Sequence, residues 1–98
     1  MNILIIEDDP SIQMLLKLTI EVEGFHPKVA GSAAAGMEEL GTQQTDLILL
    51  DLMLPDHSGL ELLQTLQHQY KTIPVIVLTE KNEMNDKILG FQLGWTIT

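Results

Sequence analysis

The chain has no cysteine and no arginine, and each absence closes off a class of function. Without cysteine there is no disulfide framework and no thiol chemistry, and the redox compartment is left open. Five lysines stand against fourteen acids, for a formal net charge of −9. Nucleic-acid binding relies on Lys and Arg to neutralise phosphates, so this balance argues against direct contact with nucleic acid. An acidic field favours divalent cations and basic partner surfaces instead. Long apolar runs are missing too: none approaches the roughly 18 residues that span a bilayer. Met1 leads straight into Asn2-Ile3-Leu4-Ile5-Ile6, with neither the basic segment nor the long apolar segment of a signal peptide. The expectation is a soluble, cytoplasmic protein with no membrane partner.

What is present suffices for one small domain. Of the 98 residues, 45% are hydrophobic, and the mean hydropathy of +0.17 is too high for a disordered chain. The pattern alternates short apolar runs with helical periodicity. Residues 3–6 form a continuous apolar run, read as a buried strand. Asp9 then stands as N-cap with Pro10 at the first helical position, and Ile12, Leu15, Leu16, Thr19 and Ile20 recur at helical spacing until Gly24. Residues 26–29 read as a weak strand, placed at a sheet edge by Pro27. Ser32 caps a helix through Leu40, in which Gly36 permits close packing on the sheet. Residues 47–50 are a third strand. Ser58 and Glu61 make a capping box for a helix to about Gln69, with Leu60, Leu62, Leu63 and Leu66 on its apolar side. Residues 73–79 are a fourth strand and 84–93 a fourth helix. Four βα units predict a doubly wound parallel sheet with helices on both faces.

The third strand ends on Asp51, where an open α/β sheet forms its ligand crevice. Alone, Asp51 has a lesser alternative reading as the cap of a turn. Glu7 and Asp8 follow the first strand, however, and Thr79 ends the fourth, so all four groups fall at the carboxyl edge of one sheet. If the first and third strands are neighbours, three acids converge, and their mutual repulsion calls for a cation. Oxygen donors suit a hard divalent ion, Mg2+ above all. A carboxylate beside such an ion can act as nucleophile toward phosphorus and form an aspartyl phosphate.

Four segments then carry a family resemblance: Ile-Leu-Ile-Ile-Glu-Asp-Asp-Pro from Ile3, Asp-Leu-Met-Leu-Pro-Asp-His-Ser-Gly from Asp51, Pro-Val-Ile-Val-Leu-Thr from Pro74, and Gly-Phe-Gln-Leu-Gly from Gly90. In combination they resemble the receiver domain of two-component response regulators, over residues 1 to about 94. The resemblance implies a flavodoxin-like fold of strand order 2-1-3-4-5. It implies Asp51 as phosphoacceptor, Asp8 as direct Mg2+ ligand, Glu7 as an acid acting through a water, and Met53 as a main-chain carbonyl ligand. Thr79 resembles the hydroxyl residue that moves to the phosphoryl group. The implied donor is a sensor histidine kinase or a phosphotransfer protein, and the implied role is signalling, not enzymatic turnover. An Asp-nucleophile phosphatase is disfavoured because Asp51-Leu52-Met53 has no second acid two residues on.

The resemblance breaks after Gly94. Where the family continues into a fifth strand ending in Lys-Pro and a fifth helix, this chain reads Trp95-Thr96-Ile97-Thr98. The expectation is therefore a receiver over residues 1–94 with order 2-1-3-4, lacking the last strand–helix unit, followed by a non-family tail at 95–98. The family lysine has no counterpart. Lys81 reads as a solvated loop residue, Glu80 replaces a small residue, and His57, His26 and His68 read as surface histidines. Trp95 reads as cover for exposed core. The alternative is a switch-defective receiver acting as a dimerisation or interaction module. On either reading, an uncovered fourth strand of Val-Ile-Val-Leu predicts a homodimer through strand four, helix four and the tail.

Overall fold

The computed structural model of the chain describes residues 1–52, 54 and 59–78. Their order is β1 (Asn2–Ile6), α1 (Pro10–Val22), β2 (His26–Ala30), α2 (Ala33–Thr42), β3 (Leu47–Asp51), α3 (Gly59–Gln69) and β4 (Val75–Leu78). The strands form one sheet of order β2-β1-β3-β4, and every pairing is parallel. This is the flavodoxin-like arrangement expected, with β1 and β3 adjacent. The expected helix at 84–93, the cap at Ser58, the strand end at Thr79 and the tail at 95–98 lie outside the described residues.

Local chemistry sets the element ends. The Asp9 carboxylate accepts from the Ser11 and Ile12 amides at 2.8 and 3.3 Å, which satisfies two of the donors that a helix start leaves open. Pro10 occupies the first helical turn, where its missing N–H costs nothing. Gly24, with φ of 85°, turns the chain out of α1 in a conformation that a side chain would strain. Ser32 caps α2 through Oγ, which accepts from the Ala35 amide at 3.1 Å. Pro27 sits on the outermost strand, opposite Ile3, where only one side of the ladder needs donors.

Side-chain alternation divides the core into two layers. Leu4, Ile6, Ala30, Ile48, Leu50, Val75 and Val77 meet Ala33 and Leu40 of α2 and Leu62 and Leu66 of α3. Ile3 and Ile5 meet Ile20 of α1 on the opposite face, with Leu16, Val29, Leu47 and Leu49 half-buried around them. Gly36 is where α2 comes down on the sheet: a Cβ there would lie 2.7 Å from Ile6 Cδ1.

Two details differ from the sequence reading. Leu15 is 63% exposed and Thr19 is exposed as well, so the inward line of α1 is Ile12, Gln13, Leu16 and Ile20. With 3.6 residues per turn, Leu15 falls about a third of a turn off that line, on the side of Leu18 and Val22. Leu60 is likewise exposed, because Leu62, Leu63 and Leu66 already fill the sheet side of α3.

Candidate functional site

The register brings the acids together. Ile6 pairs with Leu50, so Glu7 and Asp51, each one residue further on, leave neighbouring strands at the same height. The ladder continues beyond the strand ends: the Glu7 amide donates to Ala30 O at 3.0 Å, and the Leu52 amide to Leu78 O at 3.4 Å. Glu7 and Asp51 are thereby carried inward and are almost fully buried, 1% and 0% exposed, whereas Asp8 is exposed at the rim. One carboxylate oxygen from each of Glu7, Asp8 and Asp51 lies within 4.8 Å of the others. Two buried carboxylates and a third at the surface, so close together, repel strongly in a medium less polar than water.

The first turn after β1 is tied into a closed circuit. Glu7 Oε2 accepts from the Asp9 amide at 3.0 Å, Asp9 caps α1, and Gln13 of α1 reaches back to donate from Nε2 to Glu7 O at 2.5 Å. The sequence reading found the Asp9 cap but missed Gln13, since a glutamine six residues past an acid carries no recognisable spacing signal. On the other side of the crevice, Asp51 pairs with Leu78, the residue before Thr79. Asp51 is followed directly by Leu52, whose carbonyl accepts from the Gly59 amide at 3.1 Å and so closes the connection from β3 to α3 at its base.

Of the residues singled out from sequence, Glu7, Asp8 and Asp51 are brought together. Met53, Thr79, His57, Glu80, Lys81 and Trp95 lie outside the described residues. His26 is exposed at the opposite edge of the sheet, in register with Asn2, and His68 is exposed in the last turn of α3. Neither belongs to the crevice. Among the described residues no helix is long and apolar enough to cross a membrane.

A parallel 2-1-3-4 sheet with a carboxylate cluster where its central strands end defines a flavodoxin-like domain with an acidic crevice. Comparison with known proteins narrows this: the chain belongs to the response regulator receiver domain family, whose model matches residues 3–96. It is a receiver domain of two-component signalling. The KDP operon transcriptional regulatory protein KdpE of Escherichia coli is 39% identical over 93 residues, which are 95% of this chain and 41% of KdpE. The transcriptional regulator RpaA of Synechocystis is 40% identical over 95 residues, or 95% of this chain and 39% of RpaA. The chain thus spans about two fifths of the length of these curated relatives. Among solved structures, the BeF3-activated receiver domain of Klebsiella pneumoniae RstA matches with a TM-score of 0.80 and 28% identity, over 96% of this chain and 80% of that one. The Thermotoga maritima regulator TrrA, solved with Mg2+ and BeF, matches with a TM-score of 0.78 and 30% identity, over 83% of this chain and 70% of that one.

Proposed function

We propose that this receiver, residues 1–94, takes a phosphoryl group onto Asp51, with Mg2+ held by Glu7, Asp8 and Asp51 and by the main-chain carbonyl of Met53. The observation that carries the reading is the gathering of three carboxylates within 4.8 Å, two of them buried. The donor set fits the ion: all oxygen, strongly anionic, and open to solvent on the Asp8 side, where a bound ion would keep water ligands. When bound, Mg2+ would screen the charge of the incoming phosphoryl group.

The chain's own residues do the rest. The β1 and β4 ladders on either side fix the main chain of Asp51 at the end of β3, so its carboxylate is offered to the phosphorus from one place in the crevice. Attack by a carboxylate oxygen forms the new O–P bond, and the donor leaves with the electrons of the bond it loses. Thr79, one residue beyond the Leu78 partner of Asp51, is assigned the later contact to the phosphoryl oxygens. The role is that of a phosphoacceptor in the cytoplasm and not of a turnover enzyme.

The donor we assign is a sensor histidine kinase or phosphotransfer protein. TrrA has been solved in complex with the histidine kinase ThkA; its chain there matches this one with a TM-score of 0.78 at 29% identity, over 85% of this chain and 72% of that one. Any donor must approach the carboxyl edge of the sheet, where α1 begins. Met14, Leu15 and Leu18 are exposed on that helix, and in a chain of net charge −9 they offer the apolar contact such a partner needs.

Two measurements test the reading. Treatment with a small phosphodonor should add one phosphoryl group, located on Asp51 by mass spectrometry, only while Mg2+ is present; labelling that survives a chelator would count against it. Mg2+ at ten times its dissociation constant should stabilise the fold by about 1.4 kcal/mol, which for a domain of this size raises the melting temperature by roughly 6–10 °C. Asp8→Asn should lose most of that rise. An equal Mg2+ response in the variant would remove Asp8 from the site.

A further inference from the structure

We infer that Gln13 is a positioning residue for the metal site, acting through the Glu7–Asp8 peptide. The inference rests on the Mg2+ reading above and adds a residue that touches neither ion nor substrate. The Gln13 side chain leaves the inward line of α1 one turn past the helix start and donates from Nε2 to the main-chain carbonyl of Glu7. That oxygen belongs to the peptide joining two of the three acids. A peptide unit is planar, so a bond to its oxygen fixes the plane, and with it the direction in which Asp8 departs. Asp8 is the member of the trio that most needs this help. Glu7 is held by burial and by the Asp9 amide, and Asp51 lies at the end of a paired strand, but Asp8 is exposed in the turn between β1 and α1.

The surroundings give the amide its place. Gln13 is half-buried, and its Nε2 lies 3.7 Å from where a Cβ on Gly31 would stand, so the side chain runs beneath the turn that follows β2. The circuit from Glu7 to Asp9, through the cap into α1 and back through Gln13 to Glu7, makes the turn that carries Asp8 a rigid extension of the helix. Partners that orient metal ligands from outside commonly change affinity by about 10- to 100-fold when removed. At a partly solvated site the lower figure is the expected one.

Calorimetric titration of Mg2+ into the wild-type protein and two variants decides the matter. Gln13→Met keeps the length and helix preference of the side chain but cannot donate; its Mg2+ dissociation constant should rise about 10-fold while its metal-free melting temperature changes little. Gln13→Glu replaces the donor with an acceptor and adds a negative charge. Simple electrostatics would make it bind Mg2+ more tightly than wild type, whereas loss of positioning makes it bind more weakly. Weaker binding in both variants is the result expected. A methionine variant with wild-type affinity, or a glutamate variant that binds more tightly, overturns the role of Gln13 and leaves the metal site standing. A wild-type protein that takes up no Mg2+ overturns the metal reading and this role with it.

Discussion

Asp51→Asn is expected to take up no phosphoryl group and yet to melt at a higher temperature than wild type in the absence of metal. The first effect is all-or-none, because the amide offers no nucleophilic oxygen anion to phosphorus. The second follows from the crowding of charge. Two unit charges at 4.8 Å repel by about 3 kcal/mol at an effective dielectric constant near 20. Asp51 is fully buried and within 4.8 Å of both Glu7 and Asp8, so its charge is opposed by two others. Solvent at the Asp8 rim weakens part of this, and a net gain on the order of 1–2 kcal/mol remains, or roughly 4–16 °C in melting temperature. Mass spectrometry and calorimetry on the same samples give both numbers. A variant that still labels at another residue, or that melts lower than wild type, would mean that Asp51 is a structural acid.

Gly59→Ala should damage the fold more than most single-methyl additions. A Cβ at Gly59 would stand 2.6 Å from the Leu52 carbonyl carbon and closer still to its Cα. The obstacle is main chain, which cannot swing aside as a side chain would. The two residues are also joined by the Gly59 amide to Leu52 carbonyl bond, so separating them costs that bond as well. Overpacking of this kind costs about 1–3 kcal/mol, and the upper half of that range corresponds to a melting temperature lower by roughly 8–24 °C. Thermal denaturation checks it. Because Leu52 directly follows Asp51, the alanine variant should also label more slowly with phosphodonor; an unchanged melt would show that the connection from β3 to α3 has slack.

The fold was largely legible in the sequence because its punctuation is local. Asp9-Pro10, Gly24 and Ser32 each set a boundary through bonds or dihedral angles that involve only near neighbours, and all three stand where expected. The edge position of β2 could be read from Pro27 for the same reason. Gly36 was also readable, since a glycine inside an otherwise good helix asks for a packing reason, and Ile6 supplies it. The acid cluster was legible on one condition, that β1 and β3 be neighbours, and the register meets it. What sequence could not give was the rotation of α1. Apolar residues lie on more than one side of that helix, so periodicity alone admitted Leu15 to the core, and only the position of the sheet assigns it to solvent. Gln13 was invisible for a related reason: a bond from a side chain to a main-chain carbonyl six residues earlier depends on how a turn folds back.

The place of β1 between β2 and β3 has a consequence in time. It precedes the other three described strands in the chain, yet one of its two ladders needs Leu47 to Leu50, more than forty residues later. At about 5–20 residues per second, Ile3 to Ile6 would leave the ribosome several seconds before that second partner exists. During this interval an apolar segment with no charged residue can be half-paired at best, held by β2 alone. Pairings so distant along the chain are slow to form in any case. The segment that ends in Glu7 and Asp8 is thus also one that waits for its second partner while the chain is being made, and a chaperone that shields it would act before residue 50 appears.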